Sequence, residues 1–263
     1  SLGSTTPPIM REVKLPLNLS DSEVWPSHIF SVAGTCVTRL LMGPACDKFG
    51  ARIVTVCVLW ISAVPVAFTG VVQNAAGLNA LRLVIGFAGG AFVTCQYWSS
   101  RMFTREMAGT ANAIVAGWGN LGGGAAQIVV GSVLFPLFKI IYRAGGHLDE
   151  VHASALSWRT VCILPSLATI LVGIWILRAS DDAPRGNYKQ LKKAGWMPEV
   201  KVYENFKYAA LNLNTWMLAI QYACCFGVEL TMTNGAASYF YEIFDLPTEQ
   251  AAAIASIFGF LNI

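Results

Sequence analysis

The chain has 263 residues, 55% of them hydrophobic and only 13% charged, about half the charged fraction of a water-soluble domain. Eighteen Lys+Arg against 15 Asp+Glu leave a net charge of +3, and no basic stripe is interleaved with stacking aromatics, which excludes a nucleic-acid surface. Too few polar residues remain to coat a core of such apolar content, so the chain is expected to cross a lipid bilayer several times.

In chain order, the opening SLGSTTPPIM lacks the basic and then apolar segments of a signal peptide. Asn18-Leu19-Ser20 follows as a glycosylation triplet. Apolar windows of about 20 residues, enough to cross about 30 Å of hydrocarbon, predict spans at 25–46, 53–73, 79–99, 108–138, 159–178 and 210–240, with a seventh starting near 248. Between the fifth and sixth lies a basic, Pro- and Gly-containing linker, residues 179–209. Alternate loops on the linker's side carry Lys48, Arg52, Arg101, Arg105, Arg178, Arg185, Lys189, Lys192, Lys193, Lys201 and Lys207; the opposite loops hold Arg11, Lys14, Lys139, Arg143 and Arg159. That bias places the linker in the cytoplasm. The seven cysteines, 36, 46, 57, 95, 162, 224 and 225, form no CxxC pair and read as small buried apolar residues.

Several residues conflict with a lipid setting. Arg39 lies inside an apolar span, where an arginine costs about 2.5–3.5 kcal/mol on insertion scales. Thr35, Cys36, Arg39 and Gly43 share a helical face, so the guanidinium can point inward. It either reaches the interface or a carboxylate, or it forms an anion site, since its planar donors match oxyanions. In AGWGNLGGG, Gly117, Asn120, Gly124 and Gly131 lie on one face, a pattern that lets two helix backbones approach closely. Asn120 is then either a cross-helix hydrogen-bonding group or a donor to an anion. GPACDKFGAR joins Asp47 to Arg52 through a glycine-bounded turn whose opposite charges suit a short cytoplasmic hairpin. Gly89, Phe92, Gln96 and Ser99 form another interior face, as do Tyr222, Phe226, Glu229 and Thr233. Glu229 is the acidic residue deep in a span, so it needs a partner or a proton; Arg82 is a candidate partner.

Together these residues resemble the nitrate/nitrite porter family of the major facilitator superfamily, over nearly the whole chain. RLLMGPACDKFGAR is similar to that superfamily's loop between its second and third helices. TANAIVAGWGNLGGG, with Gly117, Gly119, Gly122, Gly123 and Gly124, resembles the nitrate signature of its fifth helix. FVTCQYWSSRMF and FGVELTM are similar to the eukaryotic high-affinity branch. The resemblance implies an all-α polytopic membrane protein with two six-helix halves, lacking here most of helix 1 and everything after early helix 8. Residues 1–24 would be the outer end of helix 1 and an outer loop, 25–178 helices 2 to 6, 179–209 the central linker, and 210–263 helix 7 with part of helix 8. It further implies that Arg39 is one of two arginines gripping the anion and that Asn120 lies at the substrate. Phe92, Tyr222 and Phe226 would be walls around a flat ion, and Asp47 and Arg52 part of a cytoplasmic latch. The partner arginine is expected soon after Ile263.

The function so implied is plasma-membrane transport of nitrate or nitrite by alternating access, without cofactor or metal. The eukaryotic resemblance implies proton-driven import, with Glu229 as the visible proton carrier and an accessory membrane protein as a candidate partner. Nitrate/nitrite exchange is the alternative within the class. A heptahelical receptor or retinal protein fits less well, because no span carries a lysine for a Schiff base and nothing there calls for a glycine-rich helix. An enzyme is not expected, because no His-rich metal set or Ser/His pairing falls in the spans.

Overall fold

The computed structural model describes residues 21–72, 74–146, 150–195 and 201–261; the Asn18 triplet, His147 and the middle of the linker lie outside the described residues. Those described form helices and turns, with no β-strand among them. Helix α1 (Asp21–Phe49) stops at Gly50, whose φ of 89° reverses the chain into α2 (Ala51–Phe68). Only glycine suits this turn twice over. It adopts the left-handed backbone freely, and a Cβ there would lie 2.8 Å from both Asp182 Oδ1 and Tyr188 Cβ.

Helix α3 (Ala75–Gly86) starts where the Asn74 side chain accepts a hydrogen bond from the Gly77 N–H at 2.7 Å, a capping arrangement that satisfies one exposed donor. It tightens into a 3-10 turn at Phe87–Gly90 and continues as α4 (Ala91–Met102). Helix α5 (Arg105–Ala126) runs through a π-helical stretch, Gln127–Leu134, into α6 (Phe135–Gly146). After α7 (Glu150–Val161) and α8 (Ile163–Ala179) come the short α9 (Tyr188–Lys193), then α10 (Val202–Leu211), α11 (Leu213–Phe244) and α12 (Thr248–Leu261).

Five continuous helical stretches are long and apolar enough to cross a membrane: Pro26–Phe49, Ala51–Val71, Ala76–Met102, Arg105–Gly145 and His152–Ala179. They correspond to the first five predicted spans and overrun most of their ends, because hydropathy marks only the lipid-facing part of a helix that continues to its caps. The sixth predicted window meets α11, whose 32 residues reach about 48 Å at 1.5 Å per residue. Asn214, Gln221 and Glu229 leave it less apolar than the other five. Leu40, Trp118 and Trp175 are exposed on the outside of the bundle, as lipid-facing residues are.

Small residues set the helix contacts. A Cβ on Gly34 would run into the Leu83 carbonyl, and one on Gly86 into the Ser31 carbonyl, so α1 and α3 touch backbone to backbone. Gly173 of α8 receives the Trp60 ring of α2. The central apolar cluster joins Ala63 and Val66 to Ile85, Val130, Phe135 and Trp158. The α12 helix packs on α11, α5 and the π-helical stretch. The cysteines divide differently from the sequence expectation: Cys46 and Cys162 are buried, but Cys36, Cys57, Cys224 and Cys225 are exposed. A thiol is apolar enough to face lipid as readily as a core.

Candidate functional site

The 3-10 turn between α3 and α4 sets the surroundings of Arg39. Hydrogen bonds in such a turn are poorly aligned, and each carbonyl has two lone pairs, so it can take a side-chain donor. Thr35 Oγ1 donates to the Gly86 carbonyl at 2.8 Å, and Arg39 Nε donates to the Gly89 carbonyl at 3.2 Å. From the other side, Arg39 Nη1 donates to Tyr222 Oη at 2.7 Å, tying α1 to α11.

Three aromatic rings enclose this cation. The guanidinium carbon is 5.2 Å from the Phe92 ring centre, 5.7 Å from that of Tyr222 and 4.1 Å from that of Phe226. Phe92 and Tyr222 stack at 6.1 Å and 28°, and Tyr222 and Phe226 at 5.3 Å and 11°. Such contacts contribute about 0.5–2 kcal/mol each, more as water is excluded. Among the described residues no carboxylate pairs with Arg39. With two of its five N–H groups engaged, the guanidinium keeps three, and the Tyr222 hydroxyl keeps its own proton. A flat cage with unspent donors can accept a planar anion.

Arg39, Phe92, Tyr222 and Phe226 thus stand together, whereas Asn120 does not hydrogen-bond to Arg39. It lines a small cavity between α5, α11 and α12, shared with Gly124, Gln127, Glu229, Thr233 and Phe258. The glycines of the signature part company here. Gly117 and Gly124 are buried, Gly122 and Gly123 half-buried, and Gly119 exposed. A Cβ on Gly124 would lie 2.9 Å from the Ser256 carbonyl oxygen; one on Gly119 would meet nothing within 4 Å. Gln127, which periodicity did not single out, is 2% exposed, and its Nε2 donates to the Thr233 carbonyl at 3.1 Å.

Glu229 faces that cavity rather than Arg82. Arg82 is 1% exposed on α3, and its Nε and Nη2 have no hydrogen-bond partner among the described residues.

Asp47 and Arg52 do not pair with one another. Asp47 Oδ1 accepts from Tyr97 Oη at 2.9 Å, and that phenolic oxygen accepts from Arg101 Nη2 at 3.1 Å. The Asp47 carbonyl accepts from Tyr188 Oη. Arg52 Nη1 donates to the Ser180 carbonyl at 2.9 Å, while its backbone N–H donates to Asp182 Oδ1 at 2.8 Å. Asp182 Oδ2 accepts the Tyr188 N–H at 2.9 Å. The opposite charges are therefore used on separate partners, and the buried Asp182 holds the first turns of α2 and α9 together, where helix dipoles favour an anion. Sequence reasoning missed Asp182, because a separation of 130 positions from Arg52 hides the contact.

Similar proteins narrow the class. Over 256 residues the chain is 34% identical to "High affinity nitrate transporter 2.5" of Arabidopsis thaliana, covering 97% of this chain and 49% of that protein. It is 34% identical over 257 residues to "High-affinity nitrate transporter 2.3" of Oryza sativa subsp. japonica, covering 98% and 48%. To the "Probable nitrate/nitrite antiporter NarK1" of Thermus thermophilus it is 24% identical over 251 residues, covering 94% and 52%. The chain spans about half the length of the curated relatives it matches. Residues 4–263 match the profile of the Major Facilitator Superfamily; with that match over a bundle of apolar, membrane-length helices, the chain belongs to that superfamily.

Proposed function

We propose that this chain forms the anion-binding part of a plasma-membrane nitrate importer that works by alternating access. The observation that carries the reading is Arg39, a guanidinium without a carboxylate partner, caged by Phe92, Tyr222 and Phe226. The similar proteins named as nitrate transporters favour nitrate as the anion. Nitrate is flat and singly charged, so stacked rings can sandwich it while the guanidinium and the Tyr222 hydroxyl replace its water. A tetrahedral dianion would collide with the rings. Nitrite satisfies the same donors.

In this reading Arg39 on α1 and Tyr222 on α11 belong to opposite halves of the transporter. An anion entering between them exchanges a direct bond for a bridged one and draws the halves together. Asn120 acts from the neighbouring cavity. Glu229 carries a proton with each nitrate: it lies on the α11 face of Phe226, one turn away, and is the titratable residue among those lining its cavity. The cluster of Asp47, Tyr97, Arg52 and Asp182 is the cytoplasmic latch, with residues 179–209 as the linker. The relative named as a nitrate/nitrite antiporter favours exchange as the second reading.

The test is nitrate uptake by the complete transporter in cells lacking their own. Arg39→Lys keeps the charge but loses the planar fork, and apparent affinity is expected to fall at least about tenfold at unchanged surface level, the loss of one charge-assisted hydrogen bond. Unchanged affinity would overturn the anion site. In recordings of nitrate-evoked current, Glu229→Gln should abolish acid stimulation; retained stimulation removes Glu229 from coupling and leaves exchange as the better account.

A further inference from the structure

We infer that Arg82 is a second fixed cation for the anion, a positioning residue that helps to hold a monovalent anion in the Arg39 cage by its charge, across the bundle and without touching it. The inference rests on the reading of that cage as the anion site and adds a source for part of its affinity.

The surroundings of Arg82 are those of a core residue. Leu78, Arg82 and Ile85 recur at helical spacing on α3, and each is 1% exposed, so the cation lies in line with apolar side chains on the face packed into the bundle. Ile85 belongs to the central apolar cluster with Val66, Val130, Phe135 and Trp158. Among the described residues, Nε and Nη2 of Arg82 have no hydrogen-bond partner and no carboxylate pairs with it. Asn79, one turn away on the same helix, leaves its own buried Oδ1 without a donor. A structural arginine in a core is paired, and one that snorkels reaches water; Arg82 does neither.

An unpaired charge in apolar surroundings is felt at a distance, because neither a counter-ion nor salt screens it. The helix that carries Arg82 also carries Gly89, whose carbonyl accepts from Arg39 Nε at 3.2 Å. Seven residues separate the two positions, about 11 Å along the axis of α3 and its 3-10 extension. Arg39 has no carboxylate partner either, so the two cations repel one another until an anion enters, and one negative charge in the cage is then attracted by both. At roughly 10–15 Å and an effective dielectric constant of about 20, the Arg82 charge raises affinity for a monovalent anion about tenfold. A neutral planar molecule of the same shape gains nothing from it.

The experiment titrates nitrate into the purified complete transporter by calorimetry at constant ionic strength, with melting curves recorded in parallel. Arg82→Gln and Arg82→Met remove the charge, and both are expected to weaken nitrate binding about tenfold without lowering the melting temperature, which separates loss of charge from damage to the fold. Arg82→Lys keeps the charge on a side chain of different shape and should bind within about threefold of the parent. In cells, the neutral variants should raise the KM for nitrate while leaving the maximal rate unchanged. Nitrate affinity within about twofold of the parent in either neutral variant overturns the inference, as does a loss in Arg82→Lys as large as theirs, or a loss of binding that follows a lowered melting temperature. Arg39→Lys, titrated alongside, keeps the two readings apart: unchanged affinity there would sink the anion site itself, whatever the Arg82 variants show.

Discussion

Replacing Gly124 with Ala, set against the same change at Gly119, tests whether the glycine face of α5 is a contact surface. At position 124 the added Cβ would lie 2.9 Å from the Ser256 carbonyl oxygen and 3.1 Å from both Gly259 C and Cα. All three are backbone atoms of α12, so no side-chain rotation relieves them. Ordinary contacts begin at 3.4 Å, so α12 must retreat by about 0.3–0.5 Å, an overpacking that typically costs about 1–3 kcal/mol. The shift also strains the Ser132 Oγ bond to the Glu249 carbonyl, 2.7 Å, which ties the π-helical stretch to α12. At position 119 the Cβ meets nothing within 4 Å, and alanine is the better helix former by about 0.5–1 kcal/mol. Thermal unfolding of the purified transporter, followed by tryptophan fluorescence, should show Gly124→Ala melting several degrees lower, at about 2–4 °C per kcal/mol, and Gly119→Ala unchanged or higher. Uptake should fall only in the first. Equal melting of the two variants would refute the claim that α5 and α12 meet through bare backbone.

Three other substitutions follow from the same geometry. Asp182→Ala leaves the Arg52 and Tyr188 N–H groups without their acceptors and should lower stability by about 2–4 kcal/mol, read from the melting curve, with Asp182→Asn losing less. Arg82→Met replaces a buried guanidinium, two of whose nitrogens have no partner, with an apolar chain of similar length; it should raise the melting temperature, by about 1–3 kcal/mol in stability, and a fall would mean that the cation is paired in the complete protein. Tyr222→Phe removes the oxygen that accepts from Arg39 Nη1 at 2.7 Å but keeps the ring, so nitrate KM should rise about tenfold, the equivalent of about 1.4 kcal/mol, with little change in stability.

The first five spans and the inward faces of their helices were legible because hydropathy and 3.6-residue periodicity act locally. The face containing Gly117, Asn120, Gly124 and Gly131 emerged from spacing alone, and the structure turns it inward. What spacing could not supply was the partner of each face. Gly34 and Gly86 are 52 residues apart in sequence, and nothing local says that their helices cross there. The Asp182 contacts were hidden for the same reason, and the opposite charges of Asp47 and Arg52 invited a local pairing that the fold does not use. Gln127 was passed over because a glutamine among valines reads as an isolated polar residue until α11 lies against it. The π-helical stretch that begins there has no sequence signature comparable to a proline kink.

The glycines at the crossing of α1 and α3 do more than allow close packing, and this links the fold to the site. Because Gly34 and Gly86 let α1 and α3 meet at backbone distance, Thr35 and Arg39 come within reach of carbonyls at both ends of the 3-10 turn. A wider crossing would leave Arg39 held by Tyr222 alone, free to swing toward water at the interface as long cationic side chains do. With Nε fixed on Gly89, the guanidinium is held among the Phe92, Tyr222 and Phe226 rings before anything arrives. In the proposed reading, preorganisation of this kind lowers the ordering cost of capturing a weakly hydrated anion, and it originates in two residues that carry no side chain.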